Sequence, residues 1–385
     1  MEASTAVNVS ACASRFTRAL ARPHVGLRAG SAVSTEPIRG VWLLSVHHQS
    51  DLATADGHAR VLDSLQARGW NTICPAVWNR GCTAWPSAVM ERHGLPRQDP
   101  AYAQQGIDPL AVLSRLAQER GMRLIPWFEY GFAAEPIGLP NAILARYPQW
   151  AALDRQGRVV EDGGLRWLNG LNPSVQALMQ ELMLEVAERY AVDGLQGDDR
   201  IALPWSGSHD PDTLARYRRA SGRRSAPADH DRAWTRFRCD GISDWVHRTG
   251  QRLHQLRPEL IWSMAPTPLP TGRLRLMQDS ARWLERGSVD WLVPQFYRNT
   301  LAGYRRVLGQ NRRLWPARHG ARVAAGVALV ANQRALDGPT LDQMLARGRR
   351  QGLAGVVVFH YGQLMAADQG VWQALGHDAA VPRMA

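Results

Sequence analysis

The sequence contains no lysine: all 46 of its basic residues are arginine. Against 34 acidic residues the formal net charge is +12, a balance that raises the question of a nucleic-acid or acidic-surface partner. The distribution argues against one. No run of five or more basic residues occurs, and the arginines are scattered along helical stretches as on a solvated face, whereas a nucleic-acid reader gathers its charge into one stripe. Exclusive use of arginine fits a bias of genome base composition, and no nucleic-acid partner is expected.

Cysteine is scarce. Cys12, Cys74, Cys82 and Cys239 supply neither a disulfide framework nor the spacing of a zinc site, and Cys74 lies in an apolar, strand-like run. No stretch of about 18 apolar residues exists, which leaves no membrane-spanning helix. No G-x-G-x-x-G follows the first strand, which argues against a doubly wound dinucleotide fold; no cofactor or metal is expected. Residues 1–36 are rich in Ala, Ser and Arg, poor in acid, and without the compact apolar segment of a secretory signal. They read as a disordered or processed leader.

What is present is a rhythm. With 45% hydrophobic residues over 385 positions, the chain can build two or three domains or a single α/β barrel. Apolar runs at Ile38–Ser45, Trp70–Val77, Met122–Phe128, Val192–Leu195, Leu260–Met264, Val289–Val293, Val323–Leu329 and Gly355–His360 alternate with helical patterns. Asp56, Asp108 and Asn172 read as helix N-caps, the last two followed by Pro at the first helical position. Helices close on Arg-Gly at Gly69, Gly121 and Gly287, more loosely at Gly320 and Gly352, because glycine tolerates the left-handed position and arginine suits the negative helix end. Continuously apolar strands alternating with helices imply parallel strands covered outside. Eight of them predict a (β/α)8 TIM barrel over residues 37–385, as a single domain. Its strand-to-helix loops are long (residues 78–107, 129–171 and 198–228), and such loops build barrel active sites.

The strand C-termini carry His47 and His48; Trp78, Asn79 and Arg80; Trp127, Glu129 and Tyr130; Asp198, Asp199 and Arg200; Pro266 and Thr267; Gln295, Tyr297 and Arg298; His360 and Tyr361. Two adjacent aspartates at a strand end are costly, since like charges push one pKa up, and such pairs often mark acid/base sites. Gly-Asp-Asp is also ordinary turn chemistry. Aromatics beside carboxylates and amides suit a carbohydrate, although tryptophan is also common core material. His47 and His48, adjacent in a strand, would point to opposite sides and make a poor metal pair.

These residues stand in stretches that resemble glycosyl-hydrolase-like family 10, the YngK-type bacterial barrel proteins. The matching stretches are Arg39-Gly-Val-Trp42, Pro126-Trp-Phe-Glu-Tyr-Gly-Phe132, Tyr147-Pro-Gln-Trp150, Trp167-Leu-Asn169 and Asn172-Pro173. They continue with Val192-Asp-Gly-Leu-Gln-Gly-Asp-Asp199, Pro266-Thr-Pro268 and Gln295-Phe-Tyr-Arg298. The resemblance implies a barrel that hydrolyses a bacterial polysaccharide, with peptidoglycan glycan strands as the expected class and therefore an exported or envelope location. The family usually has Phe before the Asp pair and His or Tyr after it, where this chain has Gly197 and Arg200.

Glycoside hydrolysis needs an acid for the leaving oxygen and a second group as nucleophile or base. Asp198, Asp199 and Glu129 are the catalytic candidates. Trp42, Trp78, Trp127, Tyr130, Asn169, Arg200, Gln295, Tyr297, Arg298, His360 and Tyr361 are the substrate-binding candidates. In one scheme Asp199 is the general acid and Glu129 or Asp198 the second carboxylate. In the other the N-acetyl carbonyl of the sugar attacks, one Asp orients the amide, and the other protonates the leaving group; closely paired acids favour this one. A catalytically weak, glycan-binding barrel is the alternative reading.

Overall fold

The computed structural model describes residues 36–48, 50–315 and 317–376; the expected leader, apart from Glu36, lies outside them. Parallel strands and helices alternate in chain order. They are β1 (Ile38–Leu43), α1 (Ala55–Gln66), β2 (Thr72–Pro75), α2 (Pro109–Glu119), β3 (Arg123–Leu124), β4 (Trp127–Phe128), α3 (Pro173–Arg189) and β5 (Gly194–Gly197). Then follow α4 (Arg232–Leu256), β6 (Ile261–Met264), α5 (Ser280–Glu285), β7 (Trp291–Leu292), α6 (Leu301–Leu314), β8 (Ala324–Ala328), α7 (Gly338–Arg350), β9 (Gly355–Phe359) and α8 (Gln369–Gly376).

The strands pair in parallel in the orders β8-β9-β1-β2-β3 and β7-β6-β5-β4. Isolated parallel bridges run from Ala76 to Trp127, from Leu292 to Val323 and from Gln295 to Gly326. Strand side chains alternate between faces, and the apolar residues divide accordingly. Trp42, Cys74, Trp127, Val293, Ala324 and Val357 form one cluster. Val41, Leu43, Ile73, Phe128, Leu195 and Val358 join the helices in a second, larger one. The helix face is set by spacing: Val61, Leu62 and Leu65 of α1, and Leu110, Leu113 and Leu116 of α2, are buried because residues three and four apart share a side.

Caps fix where helices begin. Asp108 accepts from the Leu110 and Ala111 amides, and Asn172 from that of Ser174, each worth about 1 kcal/mol. At α1 the cap is Thr54, which accepts from Gly57 N–H; Asp56 lies in the first turn, where a carboxylate favours the helix dipole without capping. Gly69, Gly121, Gly287 and Gly352 have positive φ and end their helices as expected. Gly320 instead sits in a 3-10 segment, Ala317–Arg322, without the left-handed conformation.

Two strands differ from the sequence pattern. The expected third strand is split into β3 and β4 around Ile125-Pro126, where Pro126 has no N–H to give and only accepts, from Gln196 N–H at 2.9 Å. The fourth begins later and runs through Gly197, to the residue before the Asp pair. A Cβ at Gly197 would lie 2.5 Å from the Met264 sulfur, so Met264 fills the space a side chain would need. No helix among the described residues is long and apolar enough to cross a membrane.

Candidate active site

The site forms where β4 and β5 end. Gln196 pairs with Trp127 and Gly197 with Phe128, which sets Asp198 beside Glu129 at one edge of the sheet. Asp198 is 1% exposed. Its Oδ1 accepts from Gln295 Nε2 at 3.0 Å and its Oδ2 from Arg200 Nη1 at 3.1 Å. Asp199 is half-buried, with Oδ2 accepting from Thr267 Oγ1 at 3.1 Å. Glu129 is buried and accepts from Asn79 Nδ2 at 2.6 Å.

Burial pushes the Asp198 carboxyl well above the usual carboxylate range, and the neighbouring charge of Asp199, to which it is hydrogen-bonded, pushes it further; Arg200 opposes both. Like charges this close oppose ionisation of the buried member. Burial also raises Glu129, against Arg200 and the Asn79 hydrogen bond. Burial, then the charge of Asp198, raises Tyr297, so its phenol remains a donor. The His360 imidazole is pushed down to about 4 by burial and then by His48, and it is neutral at pH 7.

Several expected residues meet here. Trp42 is fully buried, its indole N–H held by Gln196 Oε1 at 2.7 Å, and its ring packs 6.0 Å from Trp127 and edge-on to Tyr297 at 6.5 Å. Trp42 and Trp127 thus pack in the inner cluster, next to the site. Tyr297 stacks on Phe359 at 5.3 Å and is half-exposed. Tyr130 lies under the Arg200 guanidinium at 5.2 Å. Arg298 is half-buried and donates to the Tyr297 carbonyl at 2.7 Å. His360 caps the short helix Tyr361–Met365 through the Gly362 amide.

Three others have different work. Trp78 is fully buried in the outer cluster and donates to the Gly131 carbonyl at 2.9 Å; it has no free face for a sugar. Asn169 is 1% exposed. Its Nδ2 donates to Asp210 and Thr213, and its Oδ1 accepts from the Leu171 amide and Ser208, so its hydrogen-bonding capacity is spent on its own loops. Tyr361 faces α1, beside Ser64 and Arg68. Nor do the adjacent histidines act together: His47 Nε2 bonds Asp99 Oδ2 at 2.7 Å.

The sequence pattern overlooked two glutamines. Gln278 is fully buried; its Nε2 donates to the carbonyls of Asp199 at 3.0 Å and Ile201 at 3.1 Å, while its Oε1 accepts the Thr267 amide. It clasps the acidic loop to the loop after β6. Gln196 bridges Trp42 and Ser263 Oγ. Gln278 stands in no motif; Gln196 lies within the stretch Val192–Asp199, where a glutamine in an apolar strand is itself a signal that a buried amide has partners.

Helices alternating with parallel strands, and carboxylates gathered at strand C-termini, define the class as an α/β protein with an acidic site at its strand ends. Solved structures share that fold. One is the PgaB (BpsB) glycoside hydrolase domain from Bordetella bronchiseptica, with TM-score 0.66 and 13% identity, covering 88% of this chain and 98% of that one. Another is alpha-L-fucosidase isoenzyme 2 from Paenibacillus thiaminolyticus, with TM-score 0.60 and 18% identity, covering 88% and 48%. The chain belongs to the glycosyl hydrolase-like 10 family, whose model matches residues 37–329, and the resemblance carried by its motifs holds. It is 25% identical over 333 residues to glycosyl hydrolase DigH of Escherichia coli K12, across 76% of this chain and 73% of the relative. The match to glycosyl hydrolase DigH of Shigella flexneri has the same identity and coverage. Membership supports glycan hydrolysis in the broad sense.

Proposed function

We propose that this chain is a glycoside hydrolase of N-acetylated bacterial glycan strands, of the peptidoglycan type, working through the Asp198–Asp199 pair. The bridges at Ala76–Trp127, Leu292–Val323 and Gln295–Gly326 support reading the two sheets as one closed (β/α)8 barrel formed by a single domain over residues 37–385. The observation that carries the functional reading is the pair itself: two adjacent carboxyls at a strand end, one buried and donor-bound, the other half-exposed, with a third carboxyl on the next strand.

Asp199, the reachable member, delivers the proton to the glycosidic oxygen as the bond to the anomeric carbon breaks. Positive charge then develops on the sugar ring, and Asp198 and Glu129 lie beside it. Closely paired acids fit a substrate-assisted course, in which the N-acetyl carbonyl oxygen attacks the anomeric carbon and the buried Asp198 orients the amide N–H. Water then opens the cyclic intermediate, and Asp199 takes the proton back. Tyr297, kept as a phenol, is a donor for the acetamido oxygen, and its stack on Phe359 gives the sugar a wall. The test is incubation with peptide-free peptidoglycan strands and with chitin oligomers, with new reducing ends detected by mass spectrometry. Binding without new ends would move the reading to a glycan-binding barrel.

A further inference from the structure

Two arginines stand beside the acidic group, and they differ in what they hold. Arg200, expected among the substrate contacts, is turned onto the site itself: Nη1 donates to Asp198 Oδ2 at 3.1 Å and to the Glu129 carbonyl at 3.0 Å, with the Tyr130 ring beneath. Arg80 has no such partners. Among the described residues its side chain makes no hydrogen bond or ion pair, and its Nε is buried without an acceptor. A guanidinium can only donate, and a buried donor left unmatched is destabilising.

The backbone adds a second anomaly. Arg80 and Gly81 form the two-residue turn of a hairpin in which Trp78 pairs with Thr83 and Asn79 with Cys82. Both turn residues have positive φ, +52 and +71, a conformation that suits Asn-Gly and disfavours an arginine. The turn is pinned all the same. Asn141 Nδ2 donates to the Ala134 carbonyl at 3.1 Å and reaches the Arg80 carbonyl at 3.5 Å, and a Cβ at Gly81 would lie 2.5 Å from that nitrogen. A strained residue with an unpaired side chain is a mark of function.

The turn lies against the acidic group. Asn79, the residue before it, donates to Glu129 Oε2 at 2.6 Å. Burial dominates the titration of Glu129, and Arg80 is one of the charges opposing it; burial, then Arg80, lowers the exposed His48. A ligand that brings a carboxylate to this acidic cleft needs a cation to meet it, and a free guanidinium offers the matching fork. The proposed substrate brings one. Its muramic acid rings carry a lactyl ether whose carboxyl is an amide where a peptide is attached and a free carboxylate where none is.

We propose that Arg80 is a specificity-determining residue that binds the free lactyl carboxylate of a peptide-free strand through its unpaired guanidinium. This rests on reading the site as one for N-acetylated bacterial glycans. It sets strands with a free carboxyl above amide-capped ones, and above chitin, which carries no carboxylate.

The test is calorimetric titration with a peptide-free peptidoglycan tetrasaccharide and with the same sugar after its carboxyls are converted to methylamides. The protein carries Asp199→Asn, to leave the strand whole, alone or with Arg80→Asn or Arg80→Lys; initial rates without Asp199→Asn run alongside. With Arg80 present, the free-carboxylate sugar binds at least about 10-fold more tightly than the methylamide. In Arg80→Asn, whose side chain suits the positive φ and keeps the turn, the two sugars bind alike. Arg80→Lys keeps the charge without the fork and retains part of the difference. Where the strand is cut, the difference appears in KM rather than kcat. Equal affinity for the two sugars with Arg80 present overturns the proposal whether or not the variants fold, as does failure to bind either. A difference that survives Arg80→Asn overturns it too, and so does an equal weakening of both sugars, which would tie Arg80 to Glu129 instead. Selective binding without cleavage would end the hydrolase reading and leave Arg80 its role.

Discussion

Gln295 reaches Asp198 from a strand end 97 residues further along the chain, its Nε2 3.0 Å from Oδ1. The contact ties the segment after β7 to the one after β5, with β6 between them. It needs both strand ends at the same height, and the paired register of β5, β6 and β7 supplies that: Gly197 opposes Met264, which opposes Leu292.

Glu129 gives a pH-dependent stability. Burial holds its folded pKa above the unfolded value despite Arg200 and Asn79. The folded protein therefore binds this proton more tightly than the unfolded chain does. The contribution is full below the ordinary carboxylate pKa and lost as pH rises through the raised value. Glu129→Gln should thus raise Tm relative to wild type at neutral and alkaline pH, and the gain should vanish on acidification below the ordinary carboxylate range. Thermal melts across pH check this; a Tm difference independent of pH would contradict it.

Gln278→Ala removes the donor that clasps two carbonyls of the acidic loop. Leaving buried carbonyls without partners costs about 1–3 kcal/mol, and a loosened Asp199 costs kcat on the order of 100-fold. Denaturant unfolding with steady-state kinetics measures both; a variant that loses neither would show that the clasp is idle.

Trp78 separates core from binding surface. Trp78→Phe keeps the ring in the outer cluster but loses the bond to Gly131, at about 1 kcal/mol, and leaves KM for glycan oligomers unchanged. Trp78→Ala opens a cavity and costs about 3–5 kcal/mol. A raised KM in the stable Phe variant would restore Trp78 to the substrate-binding set.

Which parts of the molecule were legible in sequence follows from how local their causes are. Strand and helix alternation is written in period and caps, so Asp108 and Asn172 marked true helix starts, and Gly121 and Gly287 true ends. The Asp pair stood out because two carboxylates at the end of an apolar run break the pattern around them. Trp78 and Asn169 misled because residue type cannot say which face of a strand or loop turns inward; each had a full set of internal partners in distant segments. Gln278 was invisible for the same reason, since its partners at 199 and 201 meet it only in the fold. Asp56 lost its place to Thr54 by two residues, a distance that local pattern does not resolve.

The central claim is that the Asp198–Asp199 pair cuts a glycan, and the most direct measurement is reducing-end release from peptide-free peptidoglycan strands by wild type, Asp198→Asn and Asp199→Asn. The account predicts cleavage by the wild type and a loss of several orders of magnitude, at least about 10³-fold, in each variant, with folding and glycan binding retained in Asp199→Asn. Near-wild-type cleavage by both variants would contradict it.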